Sequence, residues 1–405
     1  MSGLAALGGD PLFAVPQHVG GPIVEPETRE RFHRLADGAF TRNHLTNNGP
    51  LATRLEEEVA RRHACGDAVF VANATLAQMI LMKALGLESG EAVVSANTFV
   101  ATAHACGWLG VRPVFCDIDP VTLNLDPVDA ERRLTEQTRA VIPTHVFGVF
   151  ADMESLSSLC RRHNLILFAD AAHAFDCTRG KTFAGGFGAP EFLSFHATKY
   201  FSSLEGGAIL TGDSSLAAEL RAVRNFGFNR PGDSGLSGIN AKGSEISAAF
   251  GLASLPALPE RRRRLRAIHD VYRKELAGIA GLRIHDVDAA GRNNYRYFSL
   301  FVEEDFPLRR DVVWQVLRRE NIMVRRYFHP GCHRMTFYKE RDGGGSLPVA
   351  DKMLGAILSL PTSFVETDPI KGAEAIARRF VTMVERHGEI MDWWEREGKL
   401  LPLAE

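Results

Sequence analysis

Short apolar runs recur along the first half of the chain, with longer polar segments between them. Residues 68–72 (AVFVA), 92–95, 113–116, 140–144, 165–169 and 192–195 are brief, apolar and bounded by turn residues, so each reads as a buried strand. Residues 50–64 (PLATRLEEEVARRHA) repeat apolar positions at helical spacing behind a proline, which predicts an amphipathic helix. A second helix is predicted over 75–86. Most runs are far enough apart for a crossover helix, so the pattern predicts α/β architecture with a mainly parallel sheet covered on both faces.

The second half reads differently. Residues 259–277 (PERRRRLRAIHDVYRKELA) predict a long, highly charged helix. Its arginine run at 261–264 admits a polyanion site or a solvated face, and the stripe of Leu265, Ile268 and Tyr272 favours the solvated face. A strand over 295–302, a helix over 310–321 and a final helix over 370–391 complete a smaller α/β unit. A chain of 405 residues exceeds one ordinary core. The expected division is a large domain at 1–258, with an N-terminal arm, and a small C-terminal domain at 259–405. The tail from 390, with Trp393 and Trp394, reads as a helix packed at a domain or dimer edge.

Composition narrows the class. Hydrophobic residues make up 45% and charged residues 24%, the balance of a soluble enzyme. A net charge of −2 gives no electrostatic reason for a nucleic-acid or membrane partner. Six scattered cysteines without a CxxC pair imply free thiols in a reducing compartment, not a disulfide framework or a metal site. The start lacks a basic n-region, and no apolar run reaches the roughly 18 residues that span a bilayer. A cytoplasmic location is expected by exclusion.

Two segments carry chemistry: LILFADAAHAFD, and FLSFHATKYFSSLEGGAIL after it. Lys199 lies in a polar turn between two apolar runs. There a lysine is either an ordinary loop residue or, if desolvated, a nucleophile towards an aldehyde. Asp170 ends an apolar strand, at the carboxyl edge where open α/β sheets bind ligands. It could cap a following helix, or, if buried, pair with a cation such as a protonated ring nitrogen. The 29 residues from Asp170 to Lys199 allow a crossover between neighbouring strands.

These segments resemble the DegT/DnrJ/StrS family of pyridoxal 5′-phosphate (PLP)-dependent nucleotide-sugar aminotransferases. The family's DAAHA strand end stands here as residues 170–174, and its SFHxTK…GEGG pattern as 194–199 with 204–207. The resemblance extends from about 45 to about 363. It implies fold type I, with a mainly parallel seven-stranded sheet flanked by helices plus the smaller C-terminal domain. It makes Lys199 the cofactor-linked lysine, Asp170 the partner of the ring nitrogen and His173 a neighbour of the ring hydroxyl, one helical turn past Asp170. Ala74 and Thr75 stand in the family's Ser-Gly-Thr phosphate turn, with Ala74 in place of glycine. Ser194 matches a phosphate-binding serine, and Phe99 an aromatic stacked on the ring. GINAKGS resembles a segment whose asparagine, here Asn240, reaches the partner subunit's cofactor, implying a homodimer with shared sites. Lys242 replaces the usual arginine. Asn47 and Asn48, with Tyr327, His329 and His333, fall where the family contacts sugar or pyrophosphate.

The implied reaction takes an amino group from L-glutamate, releasing 2-oxoglutarate, and places it on a nucleotide-linked keto-sugar. The LTNNGP segment at 45–50 is similar to members that aminate C4 of a dTDP-6-deoxy-sugar such as dTDP-4-keto-6-deoxy-D-glucose, for antibiotic or surface-glycan biosynthesis. Amination at C3 of a dTDP- or UDP-3-keto-sugar is the alternative. Family dehydratases carry histidine in place of the lysine, so Lys199 argues against that chemistry. A PLP-binding regulator without catalysis is the rival of another class.

Overall fold

The computed structural model describes residues 3–288, 291–342 and 345–398. Its larger sheet has strands β1 (Asp67–Val71), β2 (Glu91–Ser95), β3 (Arg112–Cys116), β4 (Thr138–Ile142), β5 (Ile166–Leu167, resumed at Ala169–Asp170), β6 (Glu191–Ser194) and β7 (Gly207–Thr211). Their order is β1-β7-β6-β5-β4-β2-β3, with the Thr144–Asp170 bridge continuing the β4–β5 pairing. Only β7 runs antiparallel to its neighbours, so the expected seven-stranded, mainly parallel sheet is present.

Alternation along β1 explains why both faces are covered. Val69 and Val71 point into a core with Ile80 and Leu81 of the helix Ala74–Ala84. Ala68 and Phe70 point the other way, against Leu55 and Val59 of the helix Pro50–His63. One residue of slip would exchange the faces and strand these side chains.

A second sheet, β8 (Leu282–Ile284), β9 (Phe298–Val302) and β10 (Ile357–Leu360), is antiparallel with β9 central. Phe298, Trp314 and Phe380 are fully buried in its core, the last two on the helices Arg310–Arg319 and Pro369–Glu385. The N-terminal segment packs here and not on the large sheet. Leu4 and Phe13 join this core, and Gln17–His18 pairs in parallel with Ile322–Met323. Buried Glu320 accepts the Ala5 and Leu12 amides at 2.7 and 2.9 Å. The first residues therefore cross the division expected at 258.

Three local expectations are corrected. The helix predicted over 370–391 is two, Pro369–Glu385 and His387–Arg396, broken at Arg386 (φ −112°, ψ 22°). The break lets Ile390 and Trp393 turn into the small core. The charged helix Leu258–Leu276 is not solvated along its whole arginine run. Arg263 and Arg264 are exposed beside Glu260, but Arg261 is buried, pairing with Glu25 at 2.8 Å and donating to the Tyr200 carbonyl. Residues 171–177 form turns, not a helix. The carbonyls of His173 and Phe175 are taken by Asn294 Nδ2 at 2.9 and 3.0 Å, which replaces the helical pairing. Among the described residues no helix is long and apolar enough to cross a membrane.

Candidate active site

The carboxyl ends of β1, β4 and β5 and the segment after β6 surround a cavity of about 300 Å³. Ala74, Thr75, Phe99, Asp170, His173, Ser194, Lys199 and Tyr327 all line it.

One end is a helix start. The helix Ala74–Ala84 is capped by Asn73, whose side chain accepts the Leu76 amide at 2.9 Å. The cap leaves the amides of Ala74 and Thr75 at the mouth of the helix dipole, where an anion is stabilised. Gly207 permits this arrangement, because a Cβ there would stand 2.9 Å from the Ala74 nitrogen. Ser194 lies beside this end.

Asp170 ends β5 and is nearly fully buried. Its Oδ1 accepts the Ala172 amide at 2.9 Å and its Oδ2 the Thr102 hydroxyl at 2.7 Å. Burial pushes the carboxyl above its ordinary value, opposed by those two donors and by the charges of Lys199 and His145. Each oxygen keeps a lone pair for one more donor.

His173 lies over the cavity floor, its ring 4.5 Å from Tyr297 and 6.0 Å from Phe328. Its Nδ1 accepts the Phe147 amide at 3.1 Å, so its proton belongs on Nε2. Burial and the charge of Lys199 hold the ring well below 6.5, and it is neutral at physiological pH.

The Lys199 amine donates to Tyr297 Oη at 3.4 Å. Burial pulls it down to about 8, against Asp170 and Tyr327, which hold it up. An amine lowered this way gives up its proton far more readily than an ordinary lysine, and its neutral form is the nucleophile that an aldehyde requires.

Phe99 is 59% exposed and so stands outside the core; its ring lies 6.2 Å from Phe328 at the cavity. The cavity thus offers an anion cradle, an acceptor for a ring N–H, flat rings and a free amine, the donor set a phosphorylated pyridine aldehyde needs.

Six predicted residues lie elsewhere. Asn47 and Asn48 are exposed in left-handed conformation, and Asn48 Oδ1 accepts from Arg224 at 2.8 Å. Asn240 is exposed and bridges Asn225. The Lys242 amine sits 4.5 Å over the Phe226 ring. His329 is half-buried near Arg310 and Arg326, which with burial bring it down to about 4. His333 is buried against Asp351 at 2.9 Å. Thr102, Tyr297 and Phe328 line the cavity but carried no sequence signal. Tyr297 reaches Lys199 across 98 residues, and Thr102 lies three residues past Phe99, one turn into the next helix.

Residues 26–369 match the model of the DegT/DnrJ/EryC1/StrS aminotransferase family. The chain belongs to this family. It is accordingly a PLP-dependent sugar aminotransferase of fold type I. It is 36% identical to dTDP-4-amino-4,6-dideoxy-D-glucose transaminase of Shigella dysenteriae over 74% of this chain and 82% of that one. A pleiotropic regulatory protein of Geobacillus stearothermophilus is 32% identical, over 77% and 84%. The crystal structure of DesI in the presence of its TDP-sugar product superposes with a TM-score of 0.90 at 38% identity, covering 96% of this chain and 98% of that one.

Proposed function

We propose that the enzyme carries the amino group of L-glutamate to C4 of dTDP-4-keto-6-deoxy-D-glucose, releasing 2-oxoglutarate and giving an amino-sugar. The observation that carries it is the near-complete superposition on DesI, a structure holding a TDP-sugar product, joined to a buried amine at Lys199 that is bonded to the Tyr297 hydroxyl. When bound, PLP supplies an aldehyde for Lys199 and a ring that accepts the electrons of a broken C–H bond.

The protein residues do the rest. The amides of Ala74 and Thr75, with Ser194, hold the phosphate. Asp170 keeps a proton on the ring nitrogen. His173, neutral and fixed by the Phe147 amide, presents Nε2–H to the ring hydroxyl side, and Phe99 covers the ring face. Lys199, once free, takes the proton from the α-carbon of glutamate and later returns a proton to the sugar carbon.

The enzyme works as a cytoplasmic homodimer in this reading. Asn240 and Lys242, outside their own cavity, reach the partner's site, while Asn47, Asn48, Tyr327, His329 and His333 serve the sugar nucleotide, Tyr327 from the wall of its own cavity. The test is a panel of dTDP-, UDP- and GDP-linked sugars with the ketone at C3 or C4, supplied with L-glutamate and assigned by NMR. Amination at C4 of the dTDP substrate supports the proposal. Amination only at C3 replaces it with the alternative, and PLP binding without conversion of glutamate makes the chain a regulator.

A further inference from the structure

Three threonines absorb no role in the reaction above, yet they form a chain that ends on its key carboxylate. Thr144 Oγ1 donates to Thr98 Oγ1 at 2.9 Å, Thr98 and Thr102 are bonded at 3.0 Å, and Thr102 Oγ1 donates to Asp170 Oδ2 at 2.7 Å. All four side chains are buried, none more than 5% exposed. They come from the end of β4, the loop after β2, the helix Val100–Trp108 and the end of β5.

A hydroxyl has one proton. An ionised Asp170 has none to give, so Thr102 must donate to it. Thr102 can then only accept from Thr98, and Thr98 only accept from Thr144. Every proton in the row points towards the carboxylate, and hydrogen bonds aligned in one direction polarise one another.

We propose that Thr102, Thr98 and Thr144 are positioning residues that hold Asp170 charged and turned so that a remaining lone pair faces the cofactor's ring nitrogen. The role assigned to Asp170 rests on the proposed reaction; the geometry of the row does not. The row offsets the desolvation of a buried carboxylate whose two direct donors, the Ala172 amide and the Thr102 hydroxyl, are both neutral. The Ala172 amide fixes the other oxygen, so the carboxylate cannot rotate without breaking two bonds. Thr98 is also held from the C-terminal half: Cys332 Sγ donates to its carbonyl at 3.2 Å, and the Cys332 amide donates to the Ala96 carbonyl at 3.1 Å. The charged or titratable groups acting on Asp170 besides the row are Lys199 and His145.

The experiment compares wild type with Thr102→Val, Thr102→Ser and Thr144→Val. In the apoprotein, the carboxyl carbon of 13C-labelled Asp170 is titrated by NMR, assigned with Asp170→Asn. In the holoenzyme, the rate of the half-reaction with L-glutamate is measured. Thr102→Val is expected to move the Asp170 titration to higher pH and to slow the half-reaction on the order of 10- to 100-fold, the range for a hydrogen bond to a charged group. The KM for glutamate should change far less. Thr102→Ser should restore both readings, and Thr144→Val should shift the titration less. An Asp170 titration unmoved in both valine variants overturns the proposal, even if turnover falls. Thr144→Val keeps the test alive should Thr102→Val fail to fold. If wild type converts no glutamate, the reaction fails while the apoprotein titration still decides the row.

Discussion

The Lys199 amine, carried by the loop after β6, donates to the Tyr297 hydroxyl at 3.4 Å, and Tyr297 stands one residue before β9 of the second sheet. The reacting amine is thus aimed by a residue of the small unit, so the cavity is complete only when the two sheets are packed together.

Replacing Tyr297 with phenylalanine removes that acceptor and keeps the buried ring. A long bond of this kind is worth about 0.5–1.5 kcal/mol. The half-reaction with glutamate should slow about 2- to 12-fold, with PLP affinity unchanged. Stopped-flow absorbance of the bound cofactor checks it; an unaltered rate would mean the amine is aimed by other groups.

Lys199 also predicts a pH effect on the apoprotein. Burial holds its amine at about 8, below the ordinary 10.5. Between those values the unfolded chain binds a proton that the folded chain lacks. Stability therefore gains from this group as pH rises through that window, and the penalty is constant below it. Lys199→Met should abolish turnover, raise the melting temperature of the apoprotein at neutral pH, and flatten its rise from pH 8 to 10. A variant melting below wild type at neutral pH would show that the lysine is not strained by burial.

Much of this was legible in the sequence. The strands of the large sheet were, because each is a short apolar run that the helices on either side bury. Asp170 and Lys199 stood out because both end or follow such a run. The row from Thr144 to Asp170 was not, since hydroxyls on three separate elements leave no linear period. Tyr297 was hidden for the same reason. The pairing of His333 with Asp351 was not legible either, since the two stand 18 residues apart on no shared period. The pairing of the N-terminus with Ile322 was invisible, since strand partners so distant share no local signal.

Glu320 anchors that N-terminus. It is fully buried, accepts two amides from the first residues and pairs with Arg379 at 3.2 Å. Removing one member of a buried pair costs about 3–5 kcal/mol. Glu320→Ala should lower stability by that amount in urea unfolding and expose the N-terminal segment to limited proteolysis. A loss under about 1 kcal/mol would mean the segment is held by its apolar contacts alone.

The most direct measurement is chemical trapping. The enzyme is loaded with PLP, reduced with borohydride, digested, and the cofactor-bearing peptide identified by mass spectrometry. The account predicts one labelled peptide, with the mass on Lys199, and no label in Lys199→Ala. A protein that takes up no PLP, or carries the label on another lysine, would contradict it.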